Sequence, residues 1–362
     1  MTIQQTSIPG RPAFRVGAIS AVWRPWVLGV TLLLTLCVVL LTAFSIGLGD
    51  YPLSAWEVLR ILVTGEGSRL ERVVVLEWRL PRALTAVAVG CALGLSGALM
   101  QSVTRNPLAS PDILGITTGA SAAAVTVITV SGTGSALSAV AGWMAGVGVP
   151  VVALLGGFLT GAVIWVLAWR RSVDPFRLVL FGIIITALLQ SYIHFLMVRA
   201  ELKDAAAAQF WLAGSLNASN WERTLPISVI VVACAPLAGW MTYKLSASLL
   251  GPDVAMALGQ KVTVAQFAFL STAVALAAVA VAAAGPIGFI AFVAPQLAVR
   301  LCRLSSPPLI ASAVMGALLL VGADTIVQSA LPVELPVGLI TSAIGGLFLI
   351  YLLVNKNRKA AI

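Results

Sequence analysis

The sequence predicts an all-α polytopic membrane protein with ten transmembrane helices. Of its 362 residues, 60% are hydrophobic and only 10% are charged, and the mean hydropathy is +1.03. A soluble domain averages about 25% charged residues, so the composition excludes a water-soluble enzyme, and the hydrophobicity excludes a disordered chain. The apolar residues also form runs of about twenty, the length of one membrane-crossing helix. Basic residues cluster in alternate gaps between these runs, as expected for a chain that crosses repeatedly.

The ten predicted spans begin and end at charges, prolines and loop residues. They are 26–48, 80–104, 112–131, 137–169, 177–199, 225–243, 263–284, 288–302, 308–323 and 337–354. The long run 137–169 is expected to include a non-spanning turn near Gly146–Pro150. The short run 288–302 predicts a broken or tilted helix, because irregular backbone at membrane depth must be buried in protein or line a cavity.

Charge predicts the orientation of the chain. Residues 1–25 are polar and basic, and the apolar run that follows is too long for a cleavable signal. An even number of spans places both termini on one side, which then holds fourteen basic residues and three acids, against eight and ten on the other. The positive-inside rule makes the first side cytoplasmic. We therefore expect a cytoplasmic segment 1–25, a membrane domain 26–354 and a cytoplasmic tail 355–362. The net charge of +9 is interpreted as membrane anchoring rather than nucleic-acid binding.

Three segments between spans are long enough for structure of their own. Residues 49–79 and 200–224 are expected outside, the first as a short surface helix, and residues 244–262 inside as two short helices. Within the spans, Gly90 with Gly94 and Gly157 with Gly161 are four residues apart. Each pair places a flat strip on one helix face, which predicts close helix contacts.

The chain carries no recognisable catalytic set, metal site or cofactor motif. Its four cysteines lack metal-ligand spacing, and its one histidine, His194, has no second member for a triad or a metal site. We interpret His194 as a helix-facing or pathway-lining polar residue. No P-loop motif is present, so ATP would have to be hydrolysed by another subunit. Asp324 and Glu334 are expected at span ends rather than at mid-depth, which disfavours a proton relay.

Two polar stretches interrupt the apolar pattern. The first, Arg79-Leu-Pro-Arg82, stands at the predicted outer end of the second span. It fits either interfacial anchoring or docking of a partner through carboxylates, which match the planar guanidinium. The second runs from Gln101 to Gly115, where an asparagine and two prolines break the helix. It fits either a bend that lines a pathway or a plain turn.

Four motifs in order resemble the FecCD family of membrane permeases, over residues 26 to 354. They are Arg79-Leu-Pro-Arg82, Asn106-Pro-Leu-Ala-Ser-Pro-Asp-Ile-Leu-Gly115, Gly285-Pro-Ile-Gly-Phe-Ile-Ala-Phe-Val-Ala-Pro295-Gln296 and Glu334-Leu-Pro-Val-Gly338. The resemblance implies the type II ABC importer permease fold. It also implies a second permease subunit, two ATP-binding subunits and an extracytoplasmic binding protein.

The resemblance also implies three sets of site residues. Binding-protein docking would use Arg79, Arg82 and the position of a third family arginine, here Gln328. Contact with the ATP-binding subunits would use coupling helices at 246–259, with Leu250, Gly251, Asp253, Ala255, Met256, Leu258 and Gly259. The pathway and its gate would use Gln101, Asn106, Pro107, Leu108, Asp174 and Pro175.

The resemblance is greatest to permeases of the ferric-enterobactin type, which implies a ferric siderophore as cargo and a cytoplasmic-membrane location. Haem or cobalamin is the alternative cargo. A secondary transporter driven by protons or sodium is the alternative class. Gln328 in place of the arginine favours a second permease that is not identical to this chain.

Overall fold

The computed structural model describes residues 7–8, 11–16, 19–22, 24–49, 51, 53–130, 148–168, 175–248, 250–330 and 335–360. Near the N-terminus three short antiparallel strands pair in chain order, β1 (Ser7–Ile8), β2 (Arg11–Val16) and β3 (Ile19–Val22). Ile8 lies opposite Arg11, and Ala13 lies opposite Val22. The sequence analysis did not predict this small sheet, which precedes the first membrane helix.

The rest of the described chain is helical. Its elements are α1 (Pro25–Gly47), α2 (Ala55–Thr64), α3 (Arg69–Arg72), a π-helical segment (Val73–Arg79), α4 (Leu80–Thr104), α5 (Ile116–Val130), α6 (Val149–Ala168), α7 (Pro175–Arg199), α8 (Leu202–Leu212), α9 (Trp221–Ser248), α10 (Pro252–Ala257), α11 (Val262–Ala284), α12 (Ile290–Cys302), α13 (Leu309–Ala330) and α14 (Val337–Ala360). Seven helices are long and apolar enough to cross a membrane: α1, α3 to α4 as one helix, α6, α7, α9, α11 and α13. With the apolar helices α5, α12 and α14 they match the ten predicted spans one for one, so the predicted membrane fold is confirmed.

Several boundaries differ from the prediction. Helix α9 extends beyond the predicted 225–243 at both ends, and α13 runs seven residues past the predicted end at 323. Residues 244–248 complete α9, so the segment 244–262 holds one separate short helix, α10, rather than two. The predicted turn near Gly146–Pro150 lies partly outside the described residues.

Helix α4 is the centre of the bundle and is mostly buried. It packs against α9, α11, α12 and α13. A Cβ atom on Gly90 would collide with the backbone of Gly316, and one on Gly94 would collide with the carbonyl of Ser312, both in α13. On α6, Gly157 and Gly161 face side chains of α11 in the same way. The glycine pairs therefore act in helix packing, as predicted.

Two capping boxes start the short helices between α1 and α4, where the prediction had one surface helix. Ser54 and Glu57 cap α2, and Ser68 and Glu71 cap α3, each serine oxygen accepting from the backbone amide three residues on. Hydrogen bonds from the backbone amide and hydroxyl of Ser54 lower the pKa of the exposed Glu57 carboxyl. The caps fix where each short helix begins.

The π-helical segment has an identifiable cause in Pro81. Proline has no N–H, and its ring crowds the carbonyl four residues earlier, so the turn before it widens and the Leu80 amide donates to Val75 rather than to Leu76. The freed carbonyl of Leu76 accepts a hydrogen bond from the indole of Trp221 at 2.9 Å. Thr224, one turn further along α9, donates to the carbonyl of Pro81. The widened turn is thus bound to the start of α9.

Two of the ten helices matched to the predicted spans are too short to cross the bilayer core alone. Helix α5 has 15 residues and α12 has 13, which gives lengths of about 22 and 20 Å against about 30 Å of hydrocarbon. The non-helical residues before each, 105–115 and 285–289, therefore lie inside the bundle. Such backbone is stable at that depth only when it is buried or lines a cavity.

Candidate functional site

The predicted docking residues lie close together at the end of the bundle where α4 begins. Arg79 is half-buried, and its guanidinium donates to the carbonyls of Ile46 at 3.1 Å and Tyr51 at 2.6 Å. These are carbonyls at the end of α1 and in the loop after it, which a guanidinium fork is well shaped to bind. Arg79 therefore joins α4 to the chain that follows α1.

Arg82 is bound within the chain. Its guanidinium forms a two-pronged ion pair with Asp324 of α13, with a shortest distance of 2.7 Å, and Asp324 is only 1% exposed. The amide of Gln328 donates to the second oxygen of the same carboxylate at 2.6 Å. Asp324 lies inside α13 rather than at a span end, which corrects the prediction, and Glu334 lies outside the described residues. We call Arg79, Arg82, Asp324 and Gln328 the arginine cluster.

A central cavity of about 700 Å³ lies where the chain is irregular at membrane depth. Its walls come from the 108–113 turn, α5, α7, the 285–289 loop and the start of α12, with single residues from α8 and α14. The lining residues are Leu108, Ser110, Asp112, Ile113, Thr117, Thr118, Ser121, Thr186, Gln190, Ile193, His194, Leu212, Pro286, Gly288, Phe289, Phe292 and Leu349. Most of the lining is apolar, with scattered hydroxyl, amide, carboxyl and imidazole groups, so the cavity offers weak and varied contacts rather than one strong site.

Several polar groups in the cavity wall are held in place by neighbours. The Asp112 carboxylate accepts a hydrogen bond from the hydroxyl of Thr117 at 2.6 Å, which ties the turn to the first turn of α5. Ser121 donates to the carbonyl of Thr117. His194 lines the cavity from α7, and its role as a pathway-lining residue stays a prediction.

The predicted gate residues differ in where they lie relative to the cavity. Leu108 lines the cavity, and the side chain of Asn106 accepts from the Leu108 amide, which shapes the turn around Pro107. Gln101 is buried beside the cavity instead. Its amide donates to the carbonyl of Phe292, and its oxygen accepts from Gln296.

Of the other two predicted gate residues, the structure describes only one. Pro175 begins α7, and Asp174 lies outside the described residues. Sequence reasoning missed most of the α7 wall and Phe289. These residues come from segments far apart in the chain, and no local pattern relates them. The positive φ of Phe289, +67°, has no signature in its own residue type.

The predicted coupling residues lie in the short-helix segment, residues 250–261, on the opposite end of α4 from the arginine cluster. Leu250, Met256 and Leu258 are each more than half exposed, and Asp253 is exposed as well. Gly251 and Gly259 have positive φ and bound α10.

Ala255 is fully buried. It faces the protein's own interior, which corrects its assignment as a contact surface. Arg105, just after α4, donates to the carbonyl of Ser248 at 2.9 Å. Gln260 of the short-helix segment donates to the Ser248 hydroxyl at 3.0 Å. Ser248, the last residue of α9, therefore joins the short-helix segment to the start of the 105–115 loop, part of which lines the cavity.

A bundle of ten membrane helices with a large cavity between irregular segments of the chain indicates a membrane transport protein. The chain belongs to the FecCD transport family, whose model matches residues 36–355. It is 38% identical to the ferric enterobactin transport system permease protein FepG of Escherichia coli K12, over 90% of this chain and 98% of the relative. It is 35% identical to the iron(3+)-hydroxamate import system permease protein FhuG of Bacillus subtilis, over 91% of this chain and 97% of the relative.

A solved structure has the same fold. It is an inward-facing conformation of a metal-chelate type ABC transporter, with a TM-score of 0.73 and 26% identity, and the match covers 91% of this chain and 99% of that one. The chain is thus a multi-pass membrane permease of the ABC importer class.

Proposed function

We propose that the chain moves a ferric siderophore across the cytoplasmic membrane, as one permease subunit of an importer driven by ATP hydrolysis in partner subunits. The observation that carries the proposal is the central cavity, which is partly open and is lined by the irregular segments 108–113 and 285–289. The cargo is inferred from similarity to permeases named for ferric enterobactin and ferric hydroxamate. The varied, weak contacts of the cavity wall suit passage, because a cargo held tightly would not leave.

The proposed assembly places this chain beside a second, non-identical permease of the same family. Two ATP-binding subunits lie on the cytoplasmic side, and a siderophore-binding protein docks on the outer side. Both termini are cytoplasmic, in keeping with the excess of basic residues on that side. In this orientation the arginine cluster faces outward and the short-helix segment faces the ATP-binding subunits. Asp174 and Pro175 would contribute to the inner gate.

ATP drives transport only if the ATP-binding subunits bind one permease conformation better than the other. The short-helix segment supplies the contact through which that preference acts. Ser248, the last residue of α9, accepts hydrogen bonds from Gln260 of this segment and from Arg105, which precedes the turn in the cavity wall. Movement of the segment would thereby change the shape of the cavity.

Reconstitution tests the function. Proteoliposomes holding both permeases and the ATP-binding subunits should accumulate radio-iron-labelled ferric enterobactin when ATP and the binding protein are supplied. Omitting ATP should stop accumulation, whereas collapsing the proton and sodium gradients should not. Uptake that survives without the ATP-binding subunits and stops with the ion gradients would establish a secondary transporter instead.

The docking role is tested best at Arg79, because substitution of Arg82 would disturb the buried Asp324 pair. Arg79→Glu should weaken binding of the binding protein to the complex in nanodiscs at least tenfold, by replacing attraction to carboxylates with repulsion. Binding is measured by titration at low and physiological salt, and assembly by size-exclusion chromatography.

Arg60→Glu is the matched control for Arg79→Glu. It makes the same charge change in the same segment, at an exposed ion pair with Glu66. Its affinity should remain within twofold of the wild-type value. Equal losses in the two variants would indicate a diffuse electrostatic effect and would reject Arg79 as a docking residue.

The coupling role is tested at Met256 and Leu258, which are 56% and 65% exposed. Met256→Glu with Leu258→Glu should prevent the ATP-binding subunits from co-purifying, because an apolar contact becomes a charged one. Met256→Leu with Leu258→Met keeps size and hydrophobicity and should keep the complex. Co-purification and coupled uptake by the doubly charged variant would show that the ATP-binding subunits contact another surface.

A further inference from the structure

Phe289 has a backbone conformation that is rare for a bulky residue. Its φ is +67°, in the left-handed region that disfavours side chains with a Cβ atom. It is the N-cap of α12, where its carbonyl accepts from the amides of Phe292 and Val293, and its own amide donates to the Asp112 carboxylate. Backbone held in such a region is retained where the surroundings determine it, and it is concentrated at functional sites.

The aromatic ring of Phe289 fits into a slot on α14. A Cβ atom built on Gly345 would overlap the Cβ, Cγ and Cδ1 atoms of Phe289, so only glycine at position 345 admits the ring. The next residue, Gly346, has open space at the same point, with no atom within 4 Å. We call the space at Gly345 the Phe289 slot.

The slot opens beside the central cavity. Phe289, Gly288 and Phe292 line the cavity, and so does Leu349, one helical turn after Gly345 on the same face of α14. A ring that left the slot would find free volume in the cavity. Relaxing φ of Phe289 to a negative value would change the direction of its Cα–Cβ bond and turn the ring away from the slot.

We propose that Phe289 is a gate residue of the cavity, open when its ring occupies the slot at Gly345 and closed when the ring turns into the cavity. This inference rests on the proposed function, since it takes the cavity as the path of the cargo. The positive φ favours release of the ring, and the glycine slot favours its retention. Two opposed preferences of this kind give a residue with two discrete positions.

The test compares two alanine substitutions in α14. Gly345→Ala fills the slot and displaces the ring, whereas Gly346→Ala points into open space, and both make the same change in helix propensity. In the reconstituted complex, Gly345→Ala should reduce ATP-driven uptake of radio-iron-labelled ferric enterobactin at least tenfold. Gly346→Ala should match wild type. Equal uptake by the two variants would overturn the gate.

A double substitution separates the ring from the slot. In Phe289→Ala with Gly345→Ala there is no ring to displace, so uptake should equal that of Phe289→Ala alone. If the double variant is as impaired as Gly345→Ala, the added methyl acts through helix packing and the proposal is wrong.

If Gly345→Ala does not fold, Phe289→Ala alone still tests whether Phe289 is the gate. Proteoliposomes loaded with ferric enterobactin should leak through this variant without ATP, several times faster than through wild type. Retention equal to wild type would reject Phe289 as the gate. Failure of wild type and Gly346→Ala to transport at all would instead contradict the proposed function.

Discussion

Replacing Arg82 with alanine is expected to reduce the amount of folded protein in the membrane to a small fraction of the wild-type amount. The substitution leaves the Asp324 carboxylate, 1% exposed, without its bidentate partner. Breaking a buried ion pair on one side costs about 3–5 kcal/mol, because the remaining charge is both unpaired and desolvated. The hydrogen bond from Gln328 remains but does not neutralise the charge. The amount of monodisperse protein after extraction and its thermal unfolding temperature measure the effect.

Two comparisons make the Arg82 result specific. Arg60→Ala removes the other described ion pair, with Glu66, whose side chains are more than half exposed, and should change stability by less than about 1 kcal/mol. Arg82→Ala combined with Asp324→Ala removes both charges and should restore most of the folded protein. An Arg82→Ala protein as stable as Arg60→Ala would contradict a structural role for the pair.

Replacing Gly97 with valine is the second change expected to have a large effect. A Cβ atom at Gly97 would overlap the carbonyl oxygen of Ala291 in α12, so α4 and α12 would have to separate along their contact. Overpacking costs about 1–3 kcal/mol even where neighbouring side chains can adjust, and here the obstacle is backbone. We expect almost no folded Gly97→Val protein, measured by fluorescence-detected size-exclusion chromatography of a tagged chain.

Gly239→Val is the matched control for Gly97→Val. Gly239 lies in α9, another membrane helix, and a Cβ atom there would meet no atom within 4 Å. Its yield should resemble that of wild type. A folded Gly97→Val protein in normal yield would mean that α4 does not approach α12 as closely as the structure indicates.

The sequence was sufficient for the number and order of the membrane helices, because long apolar runs and the charges between them are local signals. Some helix ends predicted from the sequence are wrong, because a polar residue in the helix is paired with a distant residue. Asp324 was interpreted as marking the end of a span, but its ion pair with Arg82, 242 residues away, lets α13 continue to Ala330. Pairing of this kind depends on the fold and leaves no mark in the local sequence.

The candidate site was predictable only in part for the same reason. The helix-breaking residues between Asn106 and Pro111 indicated a bend, and the structure places that bend in the cavity wall. The opposite wall on α7 and the 285–289 loop comes from distant segments. Ala255 was taken as exposed from its short amphipathic context, yet it lies on the fully buried face of α10. Burial of a single alanine is decided by neighbours rather than by its own residue type.

The widened turn before Pro81 lets the chain tolerate a change of length there. Each residue of an α-helix advances the chain by about 100° around the axis. Deleting one residue between Val73 and Arg79 would let ordinary α-helical winding resume, because the π-helical turn already holds the extra residue, and α3 would keep its orientation relative to α4. Val58 and Ile61 of α2 would then keep their contacts with the core. A deletion in the regular part of α4 would instead rotate the preceding chain by about 100°.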